Sequence, residues 1–216
     1  NLLNSSRFEL SPYIRGAARQ RLATALRKAG RLAEALEHFE AARDTMKSWI
    51  AGQPHLPVAA KDALDRELLT TELGLAQTLF ELRENKHAVQ QVDYILGLAD
   101  RHQYPDLVAQ ALDLKGGIAY RLNNGETALH LVHDSLSIYQ ATGNRVGAAA
   151  AYANLGVLTA SIHKSDEAMD YFALSLGIRE SLGDTQGIAI TRNNLGQLLA
   201  RQGQFAEAAK HFSDAV

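Results

Sequence analysis

A self-similarity with a stride of 40 residues constrains this chain more than any other feature. The segment Tyr152-Ala-Asn154-Leu-Gly156 recurs as Arg192-Asn-Asn194-Leu-Gly196, and one step back from Gly156 stands Gly116. The register extends through Ala128, Ala168 and Ala208, through Val132, Phe172 and Phe212, and through Leu136, Leu176 and Val216. A further step back reaches Ala76, Ala88, Val92 and Leu96. The first unit joins only after an added shift of 13, which pairs Ala23 with Ala76 and Ala35 with Ala88. Such a stride means that one supersecondary unit is stacked on copies of itself, because a single unit cannot bury its own apolar face. The extra residues gather around Gly52-Gln-Pro54-His-Leu-Pro57, a run of helix breakers expected to be the most flexible place in the chain.

Within each unit the apolar spacing is helical. Leu22, Leu26, Leu32, Leu36 and Phe39 recur at three- and four-residue steps, as do Leu155, Leu158, Ile162, Met169, Phe172 and Leu176. The pattern predicts ten helices near 11–29, 31–51, 60–83, 86–102, 105–122, 125–141, 145–162, 165–181, 185–201 and 204–216. They pair into units at 11–51, 60–102, 105–141, 145–181 and 185–216, with an insertion loop at 52–59 and a loosely held lead-in at 1–10. Ser11 before Pro12 reads as a cap followed by a proline in the first turn, and Pro105 sits at a helix start, where its missing N–H costs nothing. Gly143-Asn144 and Gly183-Asp184 each offer a glycine to end one helix and a capping side chain to begin the next.

In the last unit Leu195, Gly196, Gly203, Ala208, Phe212 and Ala215 stand where the tetratricopeptide repeat places Leu, Gly, Gly, Ala, Phe and Ala, and the chain resembles that family over roughly residues 11–216. The resemblance implies an all-α, right-handed superhelix of about five antiparallel helix hairpins. Gly196 and Ala208 would let two backbones approach, with Phe212 filling the space towards the next pair. The 40-residue stride is longer than the family's usual 34. This longer form is similar to repeats of animal polarity scaffolds and of bacterial signalling ATPases, cyclases and transcription regulators. The first two units depart from the pattern, with Ala at the glycine positions.

The resemblance also implies a concave surface lined by the first helix of each pair. Carried over by phase, its candidate partner-binding residues are Gln20, Arg21, Thr24, Gln77, Gln110, Asp113, Asn154, Asn193, Asn194 and Gln197, with Tyr120 and Arg121 as secondary contacts. Amides dominate the set, and their paired donors and acceptors suit a peptide backbone or a helix end. The plain alternative is that they face water or cap a neighbouring carbonyl. The dicarboxylate clamp that holds chaperone tails is absent: the matching phases hold Gln20 and Arg21, then Leu73 and Gly74, then Asp113 and Leu114.

Other chemistry finds little support. His130 and His133 share a helical face, but a metal site needs three or four convergent ligands, and His38, His87, His102, His163 and His211 are scattered. Cysteine is absent, no phosphate loop, nucleophile elbow or HExxH pair occurs, and Lys115-Gly116-Gly117 is repeat core. No cofactor and no enzyme activity are expected. Apolar residues make up 46% of the chain and charged residues 21%, enough for a packed core. A net charge of -2 with interspersed signs argues against direct nucleic-acid or membrane binding, and no run is long enough to span a bilayer. Trp49 is expected in the core against the insertion loop. The sequence thus predicts a cytoplasmic, non-enzymatic module that holds a protein or peptide segment as scaffold or sensor. The alternatives are a regulatory segment of a larger bacterial signalling protein and self-association through an apolar end face at Phe205, Ala209 and Phe212.

Overall fold

The computed structural model describes residues 12–101 and 103–215; the lead-in at 1–10, the Ser11 cap, His102 and Val216 lie outside them. Ten helices and no strand occur among the described residues, in the order α1 Pro12–Lys28, α2 Leu32–Ala51, α3 Val58–Glu81, α4 Asn85–Arg101, α5 Pro105–Arg121, α6 Gly125–Ala141, α7 Arg145–Ser161, α8 Ser165–Leu182, α9 Thr185–Arg201 and α10 Phe205–Ser213. The fold is that of a tetratricopeptide-like solenoid of helical hairpins. It divides into two compact units, one running to Leu107 and the other starting at Val108, within α5.

The turns repeat as faithfully as the helices. Between the two helices of each hairpin stands one residue of left-handed backbone: Gly30, Arg83, Asn123, His163 and Gly203, with φ of 75°, 66°, 60°, 64° and 79°. Between hairpins the same conformation falls on Gln103, Gly143 and Gly183. Only glycine adopts it without strain, so Arg83 and His163 hold it because the packed helices on either side leave no other route. The capping side chains follow. Asn144 Oδ1 accepts from the Gly147 N–H at 2.9 Å, Asp184 Oδ1 from Gly187 at 2.9 Å, and Asn124 Oδ1 from Thr127 at 3.3 Å.

In the first unit the 13 extra residues are mostly helix. They lengthen α2 to 20 residues and α3 to 24, leaving only residues 52–57 outside a helix. The added turns of α3 are tied down: the Tyr104 hydroxyl lies 2.9 Å from the Asp62 carbonyl and 2.5 Å from Asp62 Oδ1, and Arg66 pairs with Asp106. Trp49 is half-buried, and its ring forms a tilted aromatic pair with that of Tyr13 on α1, 5.5 Å between centroids. The core holds Ala23, Phe39 and Leu75, and Phe39 lies so close over Gly74 that a Cβ there would come within 2.5 Å of its ring.

In the second unit each hairpin closes on a glycine. A Cβ on Gly116 would lie 2.7 Å from Val132, on Gly156 2.6 Å from Phe172, and on Gly196 2.8 Å from Phe212. Phe212 therefore packs across its own hairpin; its phase mate Phe172 does so too and also joins Leu198 of the following pair. The largest cluster joins Val132, Leu136 and Tyr139 of α6 to Ala148, Ala151, Leu155 and Leu158 of α7.

One phase of the repeat carries polar, aliphatic and aromatic side chains in turn. Glu72 on α3 is fully buried and reaches Lys47 of the preceding hairpin at 2.5 Å and Gln91 of its own at 2.6 Å. Forty residues on, in the phases of Glu72 and Gln91, stand Leu112 and Leu131; forty further, Tyr152 stacks on Tyr171 at 6.2 Å and accepts from Gln140 at 3.0 Å. In the last hairpin Arg192 lies 3.4 Å from Glu180. The backbone geometry is constant while the joint chemistry changes from pair to pair.

Candidate functional site

Most of the polar side chains predicted for a partner surface fall in the second unit, on α5, α7 and α9. Tyr120, Asn194 and Gln197 line one cleft together with Arg201, over a floor of Val157, Ala160, Phe172 and Leu198. Periodicity accounts for this meeting: Tyr120 sits in the last turn of α5, Asn194 and Gln197 lie one turn apart on α9, and the intervening α7 offers only small or aliphatic side chains between them. Tyr120, 39% exposed, also lines a neighbouring cleft of about 480 Å³ with Arg121, Asn123, Gly125, Ser161 and Ile162. No carboxylate lines either cleft.

Asp113 is set deeper. Its carboxylate faces the Asn154 amide, the Ser135 hydroxyl and the Tyr139 hydroxyl, the last 3.4 Å from Oδ2. Oδ1 makes no well-aligned hydrogen bond, and Ser135 is fully buried beside the carboxylate. Burial pushes the Asp113 pKa up to about 6, against the pull of those three donors. Asn154 and Asn193 are exposed and Gln110 is half-buried. In the first unit Arg21 is exposed and Gln20 and Gln77 half-buried, while the Thr24 hydroxyl donates to the Gln20 carbonyl at 2.9 Å within α1.

Sequence reasoning passed over Arg201, Ser161, Ile162 and Asn123. Arg201 and Ser161 share the phase of Arg121, so the signal was present, but nothing in one strand of sequence says that ends of successive first helices converge. His133 packs edge-on to Tyr171 at 6.3 Å. Among the described residues no group of three or more His, Asp or Glu is placed to hold a metal, and no helix is long and apolar enough to cross a membrane.

A family model described as tetratricopeptide repeat matches residues 16–48 and 188–216. No curated protein matches the chain in sequence. Among solved structures, a thermophilic TPR protein of Thermus thermophilus is 20% identical with a TM-score of 0.63, over 93% of this chain and 89% of that one. BtubC (BKLC) from P. vanneervenii is 19% identical with a TM-score of 0.61, covering 96% and 90% of the two chains. The Rap conjugation gene regulator of plasmid pLS20, solved with the Phr* peptide, is 12% identical with a TM-score of 0.74; it covers 96% of this chain, which spans 62% of that protein. At these identities the likeness is one of fold.

Proposed function

As a tetratricopeptide-repeat protein, this chain is, we propose, a non-enzymatic module that captures a protein or peptide segment on the first-helix face of its second unit. The observation that carries the reading is the meeting of Tyr120, Asn194, Gln197 and Arg201 from two different hairpins around one apolar-floored cleft. A few convergent polar groups over an apolar floor suit a segment that inserts a side chain and offers its backbone to the amides. A structural neighbour solved with a peptide, the Rap regulator, is consistent with that use of the fold. In the sensor form of the reading, the captured segment bridges α5 and α9 and so biases how the hairpins between them stack.

The test is a peptide array probed with the intact chain and with Asn194→Ala plus Gln197→Ala. Losing two groups at the cleft should weaken the selected peptides about tenfold or more while the far-UV spectrum stays unchanged. Peptides that bind both forms equally would place the interaction elsewhere. A second reading, association through α10, rests on Phe205 at 71% and Phe212 at 38% exposed; a monomer by sedimentation at high concentration would end it.

A further inference from the structure

Charge in the second unit is sorted between first and second helices. The first helices, α5 beyond Leu107 with α7 and α9, carry Lys115, Arg121, Arg145, Arg192 and Arg201 against a single carboxylate, Asp113. The second helices α6, α8 and α10 carry Glu126, Asp134, Asp166, Glu167, Asp170, Glu180 and Glu207 against Arg179 and Lys210. Several of the first-helix cations are already engaged: Arg145 reaches Ser181 at 2.6 Å, and Arg192 reaches Glu180 and the Asp214 carbonyl. Arg201 is exposed and has no partner among the described residues. At the other pole the half-buried Asp113 has no cation beside it, only neutral donors, and one of its oxygens makes no well-aligned hydrogen bond.

The two poles lie at fixed places along the helices. Asp113 and Asn193 share one phase of the repeat, and Arg121 and Arg201 share the phase eight residues on. Eight residues of α-helix span about 12 Å along the axis; Asp113 stands on α5 and Arg201 on α9 with α7 between them, so an extended peptide that joins the two needs at least about four residues.

We propose that the segment bound on this face is dipolar: a basic side chain directed to Asp113 and Asn154, and an acidic side chain or chain end four or more residues away directed to Arg201 beside Tyr120. The inference rests on the reading of this face as a peptide-binding surface and adds the charge, polarity and spacing of its ligand. Beyond Leu107, Asp113 is the only carboxylate on the three helices, so a ligand cation on this unit's first helices has one place to go. Burial makes that carboxylate expensive to keep ionised while only neutral groups surround it, and an incoming cation relieves the cost. At the opposite end Arg201 offers an uncommitted fork to a carboxylate, and the lack of acidic lining in both clefts leaves nothing to compete for it. The acidic second helices repel the same carboxylate, which favours the first-helix face over the opposite one.

The test uses the full chain and a library of short peptides bearing one Lys or Arg and one Glu or Asp at separations from one to eight residues, in both orders, with single-charge and neutral controls. Wild-type protein should prefer one order, at separations of four or more. Removing either charge of the peptide should weaken binding about tenfold. Asp113→Asn should erase the preference for the basic residue and keep that for the acidic one, and Arg201→Ala should do the reverse. Binding that ignores charge order and separation, yet falls with Asn194→Ala plus Gln197→Ala, overturns the dipolar ligand and leaves the peptide-binding face standing. Binding that also ignores the amide substitutions, or no binding at all, overturns both. A preference for separations of three or fewer would be too short to reach from Asp113 to Arg201 and would overturn the assignment of those two poles.

Discussion

Glu72 is a carboxylate sealed in a helical core, and the repeat itself supplies its apolar replacement. The side chain is 1% exposed; Lys47 Nζ forms an ion pair with its Oε1, and Gln91 Nε2 donates to its Oε2. Bringing an ion pair out of water costs several kcal/mol per charge, so a buried pair gains little net stability even when its geometry is good. Breaking one partner is different, for it strands the other. Lys47→Met keeps an apolar stem and removes the ammonium, which also lies 5.0 Å from the centroid of the Tyr94 ring. Losing one partner of a buried pair costs about 3–5 kcal/mol. Lys47 is 40% exposed, so water can partly replace it, and Gln91 remains; the expected loss is about 2–3 kcal/mol. By contrast Glu72→Leu with Gln91→Leu installs the Leu112 and Leu131 arrangement of the next repeat and frees Lys47 to reach solvent. That double variant should be neutral or more stable by about 1–3 kcal/mol. Urea unfolding followed by Trp49 fluorescence checks both, since the only tryptophan of the chain lies in the same unit. If the double leucine variant unfolds at markedly lower urea with an unchanged slope, the buried ion pair is a net source of stability and the reasoning is wrong.

Further expectations concern glycines, turns and pH. Gly156→Ala forces a methyl to within 2.6 Å of the Phe172 ring and should destabilise by about 1–3 kcal/mol, whereas Gly177→Ala, with open space around it, should stabilise by about 0.5–1 kcal/mol; paired thermal melts decide. His163→Gly relieves a left-handed backbone and should raise the melting temperature, by about 0.5–1 kcal/mol of stability, while Gly143→Ala should lower it. Asp113, raised to about 6 when folded from 3.8, binds its proton more tightly in the folded state. Its contribution is complete below about pH 4 and is lost as pH rises through about 6. Asp113→Asn should therefore flatten the fall in stability between those values, worth about 2–3 kcal/mol; an unchanged pH profile would show that the carboxyl is not desolvated.

The periodic features were legible in the sequence because each depends on few neighbours. A helix follows from apolar residues at three- and four-residue steps, a turn from a glycine that alone tolerates left-handed backbone, and a cap from Asn144 or Asp184 reaching an N–H three residues on. The 40-residue stride then fixed which helices pair, since only a hairpin stacked on its own copy buries every apolar face. Tertiary structure decided whatever depends on which side chains meet across hairpins. Sequence placed Glu72 on a helix but could not bury it, because burial depends on Lys47 and Gln91 arriving together. The insertion was legible as a short loop because two prolines and a glycine dominate its centre, but that Asp62 and Arg66 anchor the added turns of α3 and that Trp49 pairs with Tyr13 only the structure could show. The same holds for the candidate site: phase named Tyr120, Asn194 and Gln197, but only the packing of α5, α7 and α9 brings Arg201 to the same cleft and leaves Asp113 alone at the opposite pole. Local rules act within a few residues of chain, whereas burial and charge environment are properties of space, set only once the helices are packed.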